Sequence, residues 1–132
     1  MTGFQKGATF THSFDVSEEI YRGFIDTFKD RNAFHMDDNA ARVKGFAHKV
    51  MHGNILCGFL SYFVGECLPL KSVLIHSEEI QFHKPVYLDD TVTIYAVVAD
   101  CFESVGAAEI KFYFENQHKD KVAKGKVRVG II

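Results

Sequence analysis

Over residues 54–68 the chain sets Ile55, Leu56, Phe59, Leu60, Tyr62, Phe63, Val64, Cys67 and Leu68 around nearly the whole circumference of a helix. A helix that is apolar on all sides has to be enclosed by the rest of its molecule. Pro69 ends it, and Gly58 and Gly65 leave room for another element to approach. Beyond it the hydrophobic period drops to two, and residues 71–82, 91–102, 107–115 and 121–131 read as four strands. The alternation is plain where Ile110, Phe112 and Phe114 oppose Glu109, Lys111 and Tyr113. Turn residues separate the strands at Lys84-Pro85, Asp89-Asp90, 104–106 and 117–120. Strands with one apolar and one polar face make an antiparallel sheet that is wet on one side. Curving that sheet around the apolar helix is the simplest way to bury both.

The first fifty residues supply the remaining elements. Residues 9–16 alternate loosely as a first strand that ends in Asp15 and Ser17, both able to cap a following helix, with Glu18 and Glu19 suited to a first turn. Ile20, Tyr21, Phe24, Ile25 and Phe28 then recur at three- and four-residue steps, predicting an amphipathic helix to about Lys29. A second short helix over 37–44 is started by Asp37 or Asp38 and stopped by Gly45. No repeat or linker interrupts the chain, so residues 1–132 read as a single α+β domain.

At 132 residues, a chain of this kind buries about two-thirds of its unfolded surface without staples. The net charge of -2 gives no reason to expect nucleic acid or an anionic membrane as the main partner. No run approaches the roughly 18 apolar residues of a membrane span. Cys57, Cys67 and Cys101 are odd in number and lack a CxxC spacing, which fits free thiols in a reducing compartment. Residues 1–10 hold one lysine and no apolar run, so a cytoplasmic, unprocessed chain is expected.

Chemistry concentrates in Asp30-Arg31-Asn32-Ala33-Phe34-His35 and in His52-Gly53 at the start of the apolar helix. The first places a carboxylate and an imidazole in one short irregular segment; the second puts a glycine at a helix N-terminus. An acid/base pair beside an amide donor is what an enzyme acting next to a carbonyl needs. His48 and His52 are four apart, but the glutamate of a His-Glu-x-x-His zinc site is missing, and no metal is expected.

These spacings resemble the MaoC-like family of (R)-specific enoyl-CoA hydratases and dehydratases, whose pattern is Asp-x-Asn-Pro-x-His-x-Asp, then Gly-Phe, then His-Gly. The chain matches at Asp30, Asn32, His35, Asp37, Gly45, Phe46, His52 and Gly53, and the run Phe82-His83-Lys84-Pro85-Val86 is similar too. The resemblance implies a hot dog fold, a curved antiparallel sheet around a central helix. It further implies a homodimer with the two sheets joined edge to edge and the acyl tunnel at the interface. Asp30 and His35 would hold a water and share the proton transfers, while Gly53 N–H would meet the thioester carbonyl. Asn32 would orient the loop or the water, and His52 would hold the helix start. Phe46, Ile55 and Phe59 would line an acyl tunnel. No cofactor is implied beyond the pantetheine of coenzyme A or of an acyl carrier protein, which arrives with the substrate.

One departure is Ala33, which stands where the family has proline and leaves the segment between Asn32 and His35 less restrained. Two other readings stay open. One is a hot dog thioesterase using Asp30 or Glu66; the other is an acyl-binding domain without catalysis. Lys124, Lys126 and Arg128 read as a wet strand face, and these, or Arg42, Lys44 and Lys49, could instead contact phosphates of the carrier.

Overall fold

The computed structural model describes residues 4–132. The first three residues of the stretch read as leaderless lie outside the described residues. Five strands, β1 (Thr9–Asp15), β2 (Val73–Phe82), β3 (Thr91–Phe102), β4 (Ala107–Glu115) and β5 (Lys121–Ile131), form one antiparallel sheet in the order β1-β3-β4-β5-β2. The period-two pattern decides which face is covered. Ile94, Val98, Ile110, Phe114, Val127 and Val129 are almost wholly buried, whereas Lys111, Lys124 and Lys126 face solvent. Each large apolar side chain buried this way contributes roughly 1.5–3 kcal/mol.

Four helices precede or cross that buried face: α1 (Glu18–Phe28), α2 (Ala33–Met36), α3 (Asp38–Val43) and α4 (Asn54–Tyr62). The Ser17 hydroxyl caps α1 by accepting the Ile20 N–H at 3.2 Å. Lys29, at φ 65°, closes it in the left-handed conformation usual for a helix end, and so turns the chain sharply just before Asp30. Asp37 caps α3, its carboxylate accepting the Asn39 and Ala40 N–H groups at 3.3 Å each.

The central helix differs from expectation. Only 54–62 is α-helical; Phe63–Cys67 is a π-helical turn that brings the chain to Leu68. Ile55, Leu56, Phe59, Leu60, Phe63, Val64 and Leu68 are buried against the sheet, but Asn54, Gly58, Tyr62 and Gly65 remain exposed. The sheet wraps one side of the helix rather than all of it. Phe14 of β1 stacks on Phe59 at 4.4 Å and anchors this packing.

At the other end of the sheet a glycine is obligatory. Between β5 and β2, a Cβ on Gly125 would run into the Glu79 carbonyl, so no side chain fits where the strands draw together. Strand β2 is an edge strand with most of its residues exposed. It begins at Val73, two residues later than the alternation predicts. No helix among the described residues is long and apolar enough to cross a membrane.

Candidate active site

The 30–35 segment is held by the backbone and by its neighbours. The Asp30 carboxylate accepts the Asn32 N–H at 3.1 Å, closing a local turn, and the Asn32 carbonyl accepts the His35 N–H at 2.9 Å. Ala33 therefore opens not a loose loop but the one-turn helix α2. Three longer links fix that turn. Tyr21, buried in α1, donates its hydroxyl to the His35 carbonyl at 2.7 Å. The Val50 N–H reaches the Phe34 carbonyl at 2.9 Å, and the Val50 carbonyl faces His35 Nδ1 at 2.6 Å.

A carbonyl only accepts, so His35 carries its proton on Nδ1 and leaves Nε2 with a free lone pair. Burial pushes the His35 pKa down from its ordinary 6.5; the Val50 hydrogen bond and the Asp30 charge oppose the shift, and nearby His52 adds to it. Half-buried His35 is thus disposed toward the neutral imidazole, a base at neutral pH.

His52 is 3% exposed and stacks on His35 with ring centres 4.0 Å apart. Its Nε2–H donates to the Asp30 carbonyl at 2.9 Å. Donor atoms of Asp30, His35 and His52 all lie within 4.8 Å of one another, a set that could hold a metal ion as well as a water. His48, the partner considered on spacing, is exposed in an irregular stretch and packs edge-on against Tyr87, so no helical His48/His52 pair exists.

Gly53 is the N-cap of α4, with helical backbone angles, and among the described residues its N–H has no hydrogen-bond partner. That amide stands where the helix dipole favours developing negative charge. A Cβ at Gly53 would meet the Phe82 ring at 3.1 Å.

Asp30, His35, Phe46, Gly53 and Phe82 line a cleft of about 500 Å³. Ile55 and Phe59 do not line it. They line a second, more apolar cavity of about 770 Å³ between α1 and α4, with Phe24 and Phe28. Phe24, Asp30 and Asn54 border both cavities, so Asp30 stands at their junction. Asn32 is exposed and engages the segment through its backbone, not its side chain. Glu66 is exposed on the π-helical turn and lines neither cavity.

Of the basic residues singled out from sequence, Lys124, Lys126 and Arg128 lie on the outer face of the sheet. Lys126 pairs loosely with Glu79 at 3.8 Å, and Arg128 lies over Phe102. Arg42 donates to the Ala47 carbonyl, and Lys49 sits over the Tyr21 ring. His83 and Lys84, which sequence reasoning did not single out as anion contacts, line the 500 Å³ cleft. Tyr21 and Val50 were also missed. Tyr21 stands outside the motif in sequence, and Val50, although two residues before His52, acts through a carbonyl that any residue would supply.

The MaoC like domain matches residues 3–124. The chain is 28% identical over 86 residues to the 3-hydroxybutyryl-CoA dehydratase of Methylorubrum extorquens, covering 65% of this chain and 55% of that protein. It is 29% identical over 83 residues to the (R)-specific enoyl-CoA hydratase of Rhodospirillum rubrum, covering 63% of this chain and 58% of that protein. The aligned region thus spans little more than half the length of these relatives. The (R)-hydratase from A. caviae superposes with a TM-score of 0.91 at 22% identity, over 100% of both chains, and shares the hot dog architecture.

Proposed function

Starting from a chain that belongs to the MaoC-like domain family, we propose that it is an enoyl-thioester hydratase, running in reverse as a 3-hydroxyacyl-thioester dehydratase. The observation that carries this reading is a single cleft holding the Asp30 carboxylate, the free lone pair of His35 Nε2 and the unpartnered Gly53 amide.

Hydration needs a base for water, an acid for C2 and a donor for the carbonyl oxygen. Asp30 and His35 hold the water between them. As its oxygen bonds to C3, the pair takes one of its protons, and the electrons of the double bond move toward the thioester oxygen. The pair then returns one proton to C2 and ends in its starting protonation state. Gly53 N–H and the N-terminus of α4 stabilise the enolate-like oxygen, and one such donor is worth about 3 kcal/mol in the transition state.

The acyl chain fits the apolar cavity lined by Ile55 and Phe59, beyond Asp30, while Phe46 flanks the reacting end. His83 and Lys84, on the cleft wall, suit the phosphates of the carrier. No resident cofactor enters this mechanism, since the pantetheine belongs to the substrate. The exposed edge strand β2 and the exposed side of α4, where Tyr62 is 50% and Leu74 of β2 41% accessible, support a homodimer. The free thiols fit a cytoplasmic setting.

Incubation with a short trans-2-enoyl-CoA tests the reading. Hydration removes the conjugated absorbance and releases no thiol; thiol release would make the protein a thioesterase, and an unchanged spectrum would make it a binding domain.

A further inference from the structure

We infer that His52 is a positioning residue that holds the Asp30 backbone and the His35 ring in working register, and is kept at a cost to stability. The inference rests on the hydratase reading of the cleft. His52 joins three parts of the site at once. Its Nε2–H holds the Asp30 carbonyl at 2.9 Å, its ring lies 4.0 Å from the centre of the His35 ring, and its own carbonyl leads directly into Gly53.

Packing alone does not account for a histidine here. The ring is 3% exposed, with Phe24 at 4.6 Å and Tyr21 at 6.1 Å. Because Nε2 carries the proton it donates, Nδ1 is a bare acceptor, and it is buried with no hydrogen-bond partner among the described residues. Leaving such an atom unsatisfied is unfavourable, and an apolar ring of similar shape would remove the penalty. Asp30, by contrast, is exposed, so water can satisfy its carbonyl if the donor is lost. What an apolar residue cannot do is restrain Asp30 against His35. Misplacement of a reacting group by an ångström costs up to about a hundredfold in rate.

The stacked pair has an electrostatic side as well. Burial is the main cause of the lowered His35 pKa, and His52, with ring centres 4.0 Å away, adds to the lowering. The other groups facing His35 are the Asp30 carboxylate, the Tyr21 hydroxyl at its carbonyl with Lys49 above that ring, and His83 and Lys84 across the cleft.

The test compares wild type with His52→Phe and His52→Gln in the full chain, with Asp30→Asn as the control for the hydratase reading. In His52→Phe, kcat on an enoyl-CoA is expected to fall at least about tenfold with little change in KM. Its Tm should equal or exceed that of wild type, and the NMR titration of His35 should move to higher pH. His52→Gln keeps an N–H near the position of Nε2 and is expected to recover most of kcat. Loss of Tm and kcat together in His52→Phe would overturn the inference and make His52 a packing residue. A folded His52→Phe with wild-type kcat, or a folded His52→Gln as slow as His52→Phe, would overturn it too. Failure of wild type to hydrate the substrate would overturn the functional reading instead, while Tm and the His35 titration would still report on His52.

Discussion

The Tyr21 hydroxyl donates to the His35 carbonyl at 2.7 Å, tying helix α1 to the turn that carries His35, one member of the proposed acid/base pair. Tyr21 is 1% exposed, so this bond is made in a setting where water does not compete. Tyr21→Phe keeps the ring and removes the bond. Stability should fall by about 1–2 kcal/mol, read from the urea midpoint, and kcat should fall several-fold more than KM changes. An unchanged midpoint would show that the link is dispensable.

Ala33→Pro addresses the same turn from the other side. Ala33 is the first residue of α2, Asn32 before it is extended at ψ 133°, and among the described residues no hydrogen bond uses the Ala33 N–H. Proline suits each of these conditions. The substitution should stabilise the fold by about 0.4–1 kcal/mol, through a more restricted unfolded chain, and leave kcat unchanged. A loss of stability by thermal melting would show that Tyr21, Val50 and His52 hold the turn in a shape proline cannot take.

Much of this was legible in the sequence, for physical reasons that differ along the chain. Strands β3 to β5 followed from strict alternation, because a half-buried sheet forces period two, and their bounds agree with the paired residues. Helix α1 followed from its cap and its apolar stripe. Helix α2 did not, since a single turn has no periodicity to read. The composition of residues 54–68 overstated the burial of α4, because the residues exposed there, such as Gly58 and Tyr62, are small or amphipathic. In the site, Asp30, His35 and Gly53 were visible as a spaced motif. The carbonyl of Val50 and the division of Phe46 from Ile55 and Phe59 between two cavities arise only from the fold.

Gly53→Ala tests the amide donor. The backbone there is already helical, so alanine is conformationally acceptable, and the Phe82 ring it meets at 3.1 Å is 50% exposed and free to swing. The fold should survive, while the displaced ring and new methyl crowd the part of the cleft proposed for the thioester carbonyl. A loss of at least about tenfold in kcat/KM is expected, with circular dichroism unchanged. Wild-type kcat/KM would move the carbonyl site elsewhere.

The pH dependence follows from His35. Burial lowers its folded pKa below the ordinary 6.5, so the unfolded chain takes up a proton at a higher pH than the folded one. Its contribution to stability is complete above about pH 6.5 and is lost as pH falls from there through the folded value. Urea midpoints should therefore decline below about pH 6.5, less steeply in His35→Gln. The acid limb of kcat/KM should have its midpoint below 6.5. A limb centred above that value would contradict the burial argument.

The central claim is that Asp30 and His35 together add water to an enoyl thioester. Hydration of a short trans-2-enoyl-CoA by wild type, Asp30→Asn and His35→Ala, each checked for an unchanged melting profile, measures it directly. Wild type should hydrate the substrate, and each variant should lose about 10²–10⁴ in kcat. Folded variants that hydrate at the wild-type rate would contradict the account.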